Sequence, residues 1–147
     1  MDIRVQEAPF ELGRVVEEFT DRQVNMGAIV TFTGITRDLP GAGMDRMEME
    51  HYPGMTERAL AKIAQDALDR WDLGDVLIIH RYGVLKPQDR IMMVATASRH
   101  RAHAFEAAEF LMDYLKSRAP FWKKEITKDG AEWVDSKDED EAALNRW

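Results

Sequence analysis

An α+β fold is predicted, on three observations. The spacing of apolar residues switches repeatedly between a period of two and a period near 3.6, in the order β-α-β-β-α-β-β-α-β-β. Strands and helices are therefore mixed without the strict alternation of a doubly wound sheet. The 147 residues show no repeat, no low-complexity linker and no break in composition, so one domain is expected over 1–147.

The elements follow in order. Ile3 and Val5 alternate and predict a first strand. Phe10, Leu12, Val15, Val16 and Phe19 are spaced for a short helix. Gly27 to Arg37, GAIVTFTGITR, is β-branched and apolar and reads as a buried strand ending in a cation. Asp38 to Gly43, with Pro40 and two glycines, reads as a loop. Met47, Met49 and His51 alternate with glutamates, a strand with one wet face. After Pro53-Gly54, Thr56 is positioned to cap a helix whose inner face is Leu60, Ile63, Ala64, Ala67, Leu68 and Trp71.

Asp75 to Val84 reads as one strand, Lys86 to Asp89 as a turn, and Ile91 to Ala97 as the next strand. A helix is expected from Arg101 to Arg118, ended by Pro120. Phe121–Thr127 and Ala131–Val134 flank Lys128-Asp129-Gly130, a hairpin signal. The acidic tail, about 135–147, is expected to be solvated, with room for a short terminal helix.

Composition limits the function classes. Net charge is −7, which argues against a nucleic-acid binder. No apolar run approaches the roughly 20 residues that span a bilayer. The N-terminus carries Asp2 and Glu7 where a signal peptide is apolar, so a soluble, cytoplasmic protein without membrane attachment is expected. There is no cysteine, hence no disulfide, thiolate metal site or persulfide on this chain. Any sulfur it handles must arrive on a partner or a substrate.

The charge is unevenly spread. Ser98 to Lys128 holds seven Lys/Arg against four Asp/Glu, whereas Asp129 to Trp147 holds two against seven. A basic segment inside an acidic protein suggests an anion site, although a solvated basic face has the same composition. Lys116 falls in the last turn of its helix, where any cation is favoured by the helix dipole. Its company is less ordinary: Arg118, Lys123 and Lys124 lie within eight residues, beside Phe121 and Trp122. Crowded, partly buried cations favour loss of a proton, and a lysine so tuned serves as a base or a nucleophile.

Arg99-His100-Arg101 opens the same helix, where backbone N–H groups and two arginines suit a phosphate or simply form a positive edge. His100, His103 and Glu106 rotate around the helix, and no metal site is expected from them. Arg37 ends a strand before a Gly/Pro loop, a common place for function. His51 and His80 read as structural histidines.

These segments together resemble a known family. Val30-Thr31-Phe32-Thr33-Gly34 with Arg37, Glu50 to Thr56 (EHYPGMT), His80-Arg81-Tyr82-Gly83, Ser98 to Arg101 and above all Met112 to Glu125 (MDYLKSRAPFWKKE) are similar to the large, catalytic subunit of molybdopterin synthase. The resemblance runs from about residue 3 to the C-terminus. It implies an α/β-hammerhead fold with an added antiparallel β-rich subdomain. It implies a homodimer within a heterotetramer, each end carrying a small ubiquitin-like subunit with a C-terminal Gly-Gly thiocarboxylate. The implied reaction moves sulfur from that tail to cyclic pyranopterin monophosphate, with no cofactor or metal, and forms the dithiolene of molybdopterin.

The resemblance also implies the site. Lys116 is the expected main catalytic residue, as acid/base or transient anchor for the tail, and Lys123 assists it. Arg37, His100 and Arg101 are expected on the substrate, with Ile35, Thr36, Lys124 and Glu125 in the contacting stretches. Ile35 and Thr36 stand where relatives are often more basic, and Lys137 where some have arginine. A non-catalytic adaptor for a ubiquitin-like tail is the other reading of a basic groove.

Overall fold

A computed structural model describes residues 1–38, 43–134 and 138–147. The expected loop at Pro40 and Gly41, and Lys137, lie outside the described residues. The strands are β1 (Asp2–Gln6), β2 (Ala28–Ile35), β3 (Met44–His51), β4 (Asp75–Arg81), β5 (Gly83–Leu85), β6 (Arg90–Ser98), β7 (Phe121–Thr127) and β8 (Gly130–Val134). The helices are α1 (Leu12–Asp21), α2 (Met55–Trp71), α3 (Arg101–Ser117) and α4 (Asp138–Ala143), followed by a 3-10 turn over Leu144–Arg146. Among the described residues no helix is long and apolar enough to cross a membrane.

Two four-stranded sheets form the mixed α+β architecture. The first has the order β1-β4-β6-β2, with β1 parallel to β4 and the other pairs antiparallel. The second, β5-β3-β7-β8, is wholly antiparallel and is the β-rich addition. β4 is buried throughout because both faces of the first sheet are covered. Val76 and Ile78 pack with Leu60, Ile63 and Trp71 of α2 and with Phe110 and Leu111 of α3. Leu77 and Ile79, pointing the other way, pack with Val15 and Phe19 of α1.

The predicted strand over Asp75–Val84 is two strands. At Gly83 the backbone takes φ +88°, a conformation side chains rarely allow, and the chain passes from the first sheet to the second. Arg81 secures that crossing from inside: its buried guanidinium donates twice to the Glu7 carbonyl, at 3.0 and 3.1 Å. The expected buried strand over 27–37 is an edge strand ending at Ile35, with Phe32 and Ile35 exposed. Thr56 does not cap its own helix. Glu57 accepts the Gly54 N–H there, while the Thr56 hydroxyl accepts from Tyr52 N–H and donates to the Pro120 carbonyl.

The terminal segment departs furthest from expectation, because its described part is docked rather than solvated. Trp147 packs edge-on against Trp71 and Phe110, with centroids 5.5 and 5.6 Å apart. Its indole N–H donates to Asp113, which also accepts from Arg146. The ring of Trp147, together with the ion pairs of Arg146, docks the end of the tail on α2 and α3. Trp147→Ala should lower the unfolding free energy by about 1–2 kcal/mol, less than the roughly 3–5 kcal/mol of a fully buried aromatic because the residue is half-buried. Urea denaturation reads this directly, and an unchanged midpoint would mean the docking contributes nothing.

Candidate functional site

The chain turns from α3 into β7 in very few residues. The Tyr114 carbonyl accepts N–H groups from both Arg118 and Ala119, a tightened helix end, and Pro120 prevents another turn. Phe121 then starts β7 opposite His51. Leu115, buried in the core, anchors the last helical turn and leaves Lys116 pointing outward beside it.

A cavity of about 210 Å³ results between the two sheets. Lys116 and Lys123 both line it, with Ile35 at one rim, Met112 and Phe121 along the walls, and Asp140 of α4. This cavity therefore gathers Lys116, Lys123 and Ile35 of the residues expected from the sequence. It does not gather the others. Lys124 points to the other face of β7, its ammonium 5.5 Å from the centroid of the Trp133 ring, and Glu125 does not line the cavity. Thr36 is buried and held by the turn before β6, donating its N–H to Asp89 and accepting from Gln88. Its hydroxyl has no partner, and Arg37 next to it is exposed.

His100 and Arg101 are exposed at the opposite end of α3. Fifteen residues separate Arg101 from Lys116, which is roughly 22 Å at 1.5 Å per residue. His103 lies edge-on to His100, while Glu106 accepts the Trp71 indole N–H, so the three do not converge.

Not every cation near Lys116 is available to a ligand. Arg118 is paired with Glu141 at 2.8 Å. Among the described residues, Lys116, Lys123 and Asp140 are the charged groups that line the cavity, two cations and one carboxylate.

One wall residue was read from sequence only as structural. His80 is the third member of the alternating set Val76, Ile78, His80, so it faces α3, and it lines the cavity with Lys116. Phe121 stacks on its ring at 3.7 Å, 16° from parallel. Its Nδ1 lies 2.8 Å from the Arg81 carbonyl. Burial holds the imidazole neutral down to about 4; the Arg81 bond opposes this, and Lys116 and His51 add to it. The signal in the sequence was a polar residue at a core-facing position of an otherwise apolar strand.

The neutral ring has a consequence for stability. Unfolded, His80 takes up a proton near its ordinary value of 6.5; folded, it does so only near 4. The unfolded chain thus binds more protons between these values, and the fold is weakened as pH falls through that window. Going from pH 7.5 to 5 should cost about 2 kcal/mol from this residue. Urea unfolding at the two pH values should show a smaller loss in His80→Gln than in the unsubstituted chain; equal losses would assign the acid sensitivity elsewhere.

Comparison with known proteins places the chain in a family. Residues 5–118 match the family model described as MoaE protein. The chain is 63% identical over 147 residues to the molybdopterin synthase catalytic subunit of Cereibacter sphaeroides, covering 100% of both. It superposes on the molybdopterin biosynthesis MoaE protein of Burkholderia ambifaria with TM-score 0.84 and 52% identity, over 100% of this chain and 98% of that one. It superposes on the molybdopterin synthase of Staphylococcus aureus with TM-score 0.80 and 31% identity, over 89% and 95% of the two chains. With a family model spanning most of its length and a relative matched end to end, the chain belongs to the MoaE protein family.

Proposed function

We propose that this chain is the catalytic subunit of a molybdopterin synthase, a sulfurtransferase of molybdenum cofactor biosynthesis. It takes sulfur from the C-terminal thiocarboxylate of a small ubiquitin-like subunit and delivers it to cyclic pyranopterin monophosphate, forming the dithiolene of molybdopterin. The observation that carries the reading is Lys116 and Lys123 on one cavity of a cysteine-free chain. A sulfur donor must then come from outside, and both the donor's tail and the phosphorylated substrate are anionic. Residues 1–147 act as one unit in this reading, in the cytoplasm.

Lys116 acts on the tail's terminal carbonyl, as a proton donor and acceptor or as a transient anchor. Lys123 stabilises negative charge that develops there. Arg37, His100 and Arg101 hold phosphate and pterin, with Ile35, Thr36, Lys124 and Glu125 in the flanking contact segments. Lys116→Ala should keep fold and partner binding and lose at least about a hundredfold in turnover. Product formation from thiocarboxylated small subunit and pyranopterin measures it; comparable rates at saturating partner would remove Lys116 from the chemistry and favour an adaptor, which binds the tail and makes nothing.

The two ends of α3 are too far apart for one small substrate, so the active site is composed from two chains of a dimer. A two-fold axis brings one chain's His100 and Arg101 near its partner's lysines. Mixing inactive Arg101→Ala and Lys116→Ala chains tests this. Heterodimers then contain one doubly damaged and one intact site, and about half the activity per dimer should return. Proven heterodimers that stay inactive would confine each site to a single chain.

A further inference from the structure

Among the described residues that line the cavity, the proposed reaction gives no role to His80, the titratable side chain buried in its wall. The Arg81 carbonyl can only accept, so His80 Nδ1 carries the ring proton. A neutral imidazole has one N–H, so Nε2, on the opposite edge, is an acceptor. The Phe121 stack fixes the plane in which that lone pair lies. Among the described residues, Lys116 from α3, His51 from β3 and Arg81 on its own strand act on the ring, and Lys123 from β7 and Asp140 from α4 line the same cavity. Of these, Lys116 shares the cavity with His80 and acts on its charge, which places the two within electrostatic reach.

We infer that His80 is a positioning residue: when the partner's anionic tail enters the cavity, its Nε2 accepts a hydrogen bond from the Lys116 ammonium and aims the amine at the terminal carbonyl. This rests on the function proposed above. No hydrogen bond joins the two in the unbound chain, and such contacts commonly tighten only in the bound complex. The chemistry suits the task. Lysine is a flexible point charge that needs a fixed acceptor to hold one geometry. A carboxylate would hold it too, but would cancel the positive charge that receives the tail. A neutral imidazole aims the ammonium and leaves its charge intact.

Two substitutions separate the two edges of the ring. The asparagine amide of His80→Asn reaches where Nδ1 lies and can donate to the Arg81 carbonyl. The longer glutamine of His80→Gln brings a carbonyl oxygen to where Nε2 lies. Turnover is measured with the small subunit and pyranopterin, in variants checked for folding by near-ultraviolet circular dichroism. His80→Asn should lose about tenfold in kcat, a hydrogen bond's worth, with KM little changed, and His80→Gln should recover most of it. The reverse order would make the histidine structural, through its bond to Arg81. Equal activity in both, high or low, would also overturn the inference. An inactive unsubstituted enzyme would instead count against the proposed function.

A second measurement needs no His80 variant. Nitrogen NMR of the imidazole in the complex with the small subunit should show a proton on Nδ1 and a binding-linked shift of Nε2 that Lys116→Ala abolishes. A proton on Nε2, or a shift that survives Lys116→Ala, would rule the contact out.

Discussion

The abrupt change of direction between α3 and β7 is the constraint on which the site depends. One carbonyl, that of Tyr114, closes the helix by accepting two N–H groups. Pro120 forbids continuation, and its own carbonyl is taken by the Thr56 hydroxyl at 3.1 Å, which ties the turn to the start of α2. Phe121 follows at once and packs on His80. Seven positions after Lys116 the chain is already a strand of the second sheet, so Lys123 returns to the cavity that Lys116 lines. A looser connection would leave the first lysine on a helix end and the second on an unrelated sheet. The same constraint explains the length of α3: a straight helix packed along the first sheet necessarily carries its N-terminal cations away from its C-terminal one.

Electrostatics within an acidic protein are arranged by pairing rather than by composition. Acids and cations of the C-terminal segment meet particular partners: Glu141 takes Arg118, while Asp113 and Glu109 of α3 take Arg146. These exposed pairs contribute little to stability. Their effect is to remove Arg118 from the pool of cations near Lys116. At the other side of the fold, Asp75 loses by burial but gains more from Gln23, Arg22 and the N-terminal ammonium, which hold its carboxyl at about 2. The first residue of the chain is thereby fixed to β4, and β1 lies parallel beside it.

Much of this was legible in the sequence, and the failures have physical causes. Helix α3 ends as expected because Pro120 is a local signal, and the 128–130 hairpin is likewise a matter of neighbouring residues. Strand β2 was read as buried because β-branched residues say nothing of how many neighbours a strand has; its place at an edge is decided by topology. The split at Gly83 was missed because Val84 and Leu85 continue the apolar run, and only a positive φ shows that they belong to another sheet. The tail was read from its acids, yet its end docks through Trp147 and Arg146. Of the candidate site, Lys116 and Lys123 were legible from their crowding and from family resemblance. His80 was not, since a histidine among isoleucines reads as a tolerated core residue unless the opposite wall is known.

That opposite wall also explains why the polar group is an imidazole. Arg81, next along the strand, holds the passage from one sheet to the other, and all three nitrogens of its guanidinium donate to main-chain carbonyls of Glu7 and Arg90. Its own carbonyl is left facing back along β4, where it needs a donor. A carboxylate at position 80 offers none when ionised, and would be buried beside a bond acceptor. A leucine would satisfy the packing but leave the carbonyl bare. Histidine meets the carbonyl with one nitrogen, fills the apolar wall with its ring face against Phe121, and leaves its second nitrogen uncommitted to that carbonyl. The residue that suits the fold at this point is thus also one with an uncharged acceptor nitrogen on a cavity that Lys116 lines, and no separate element has to be built for the purpose.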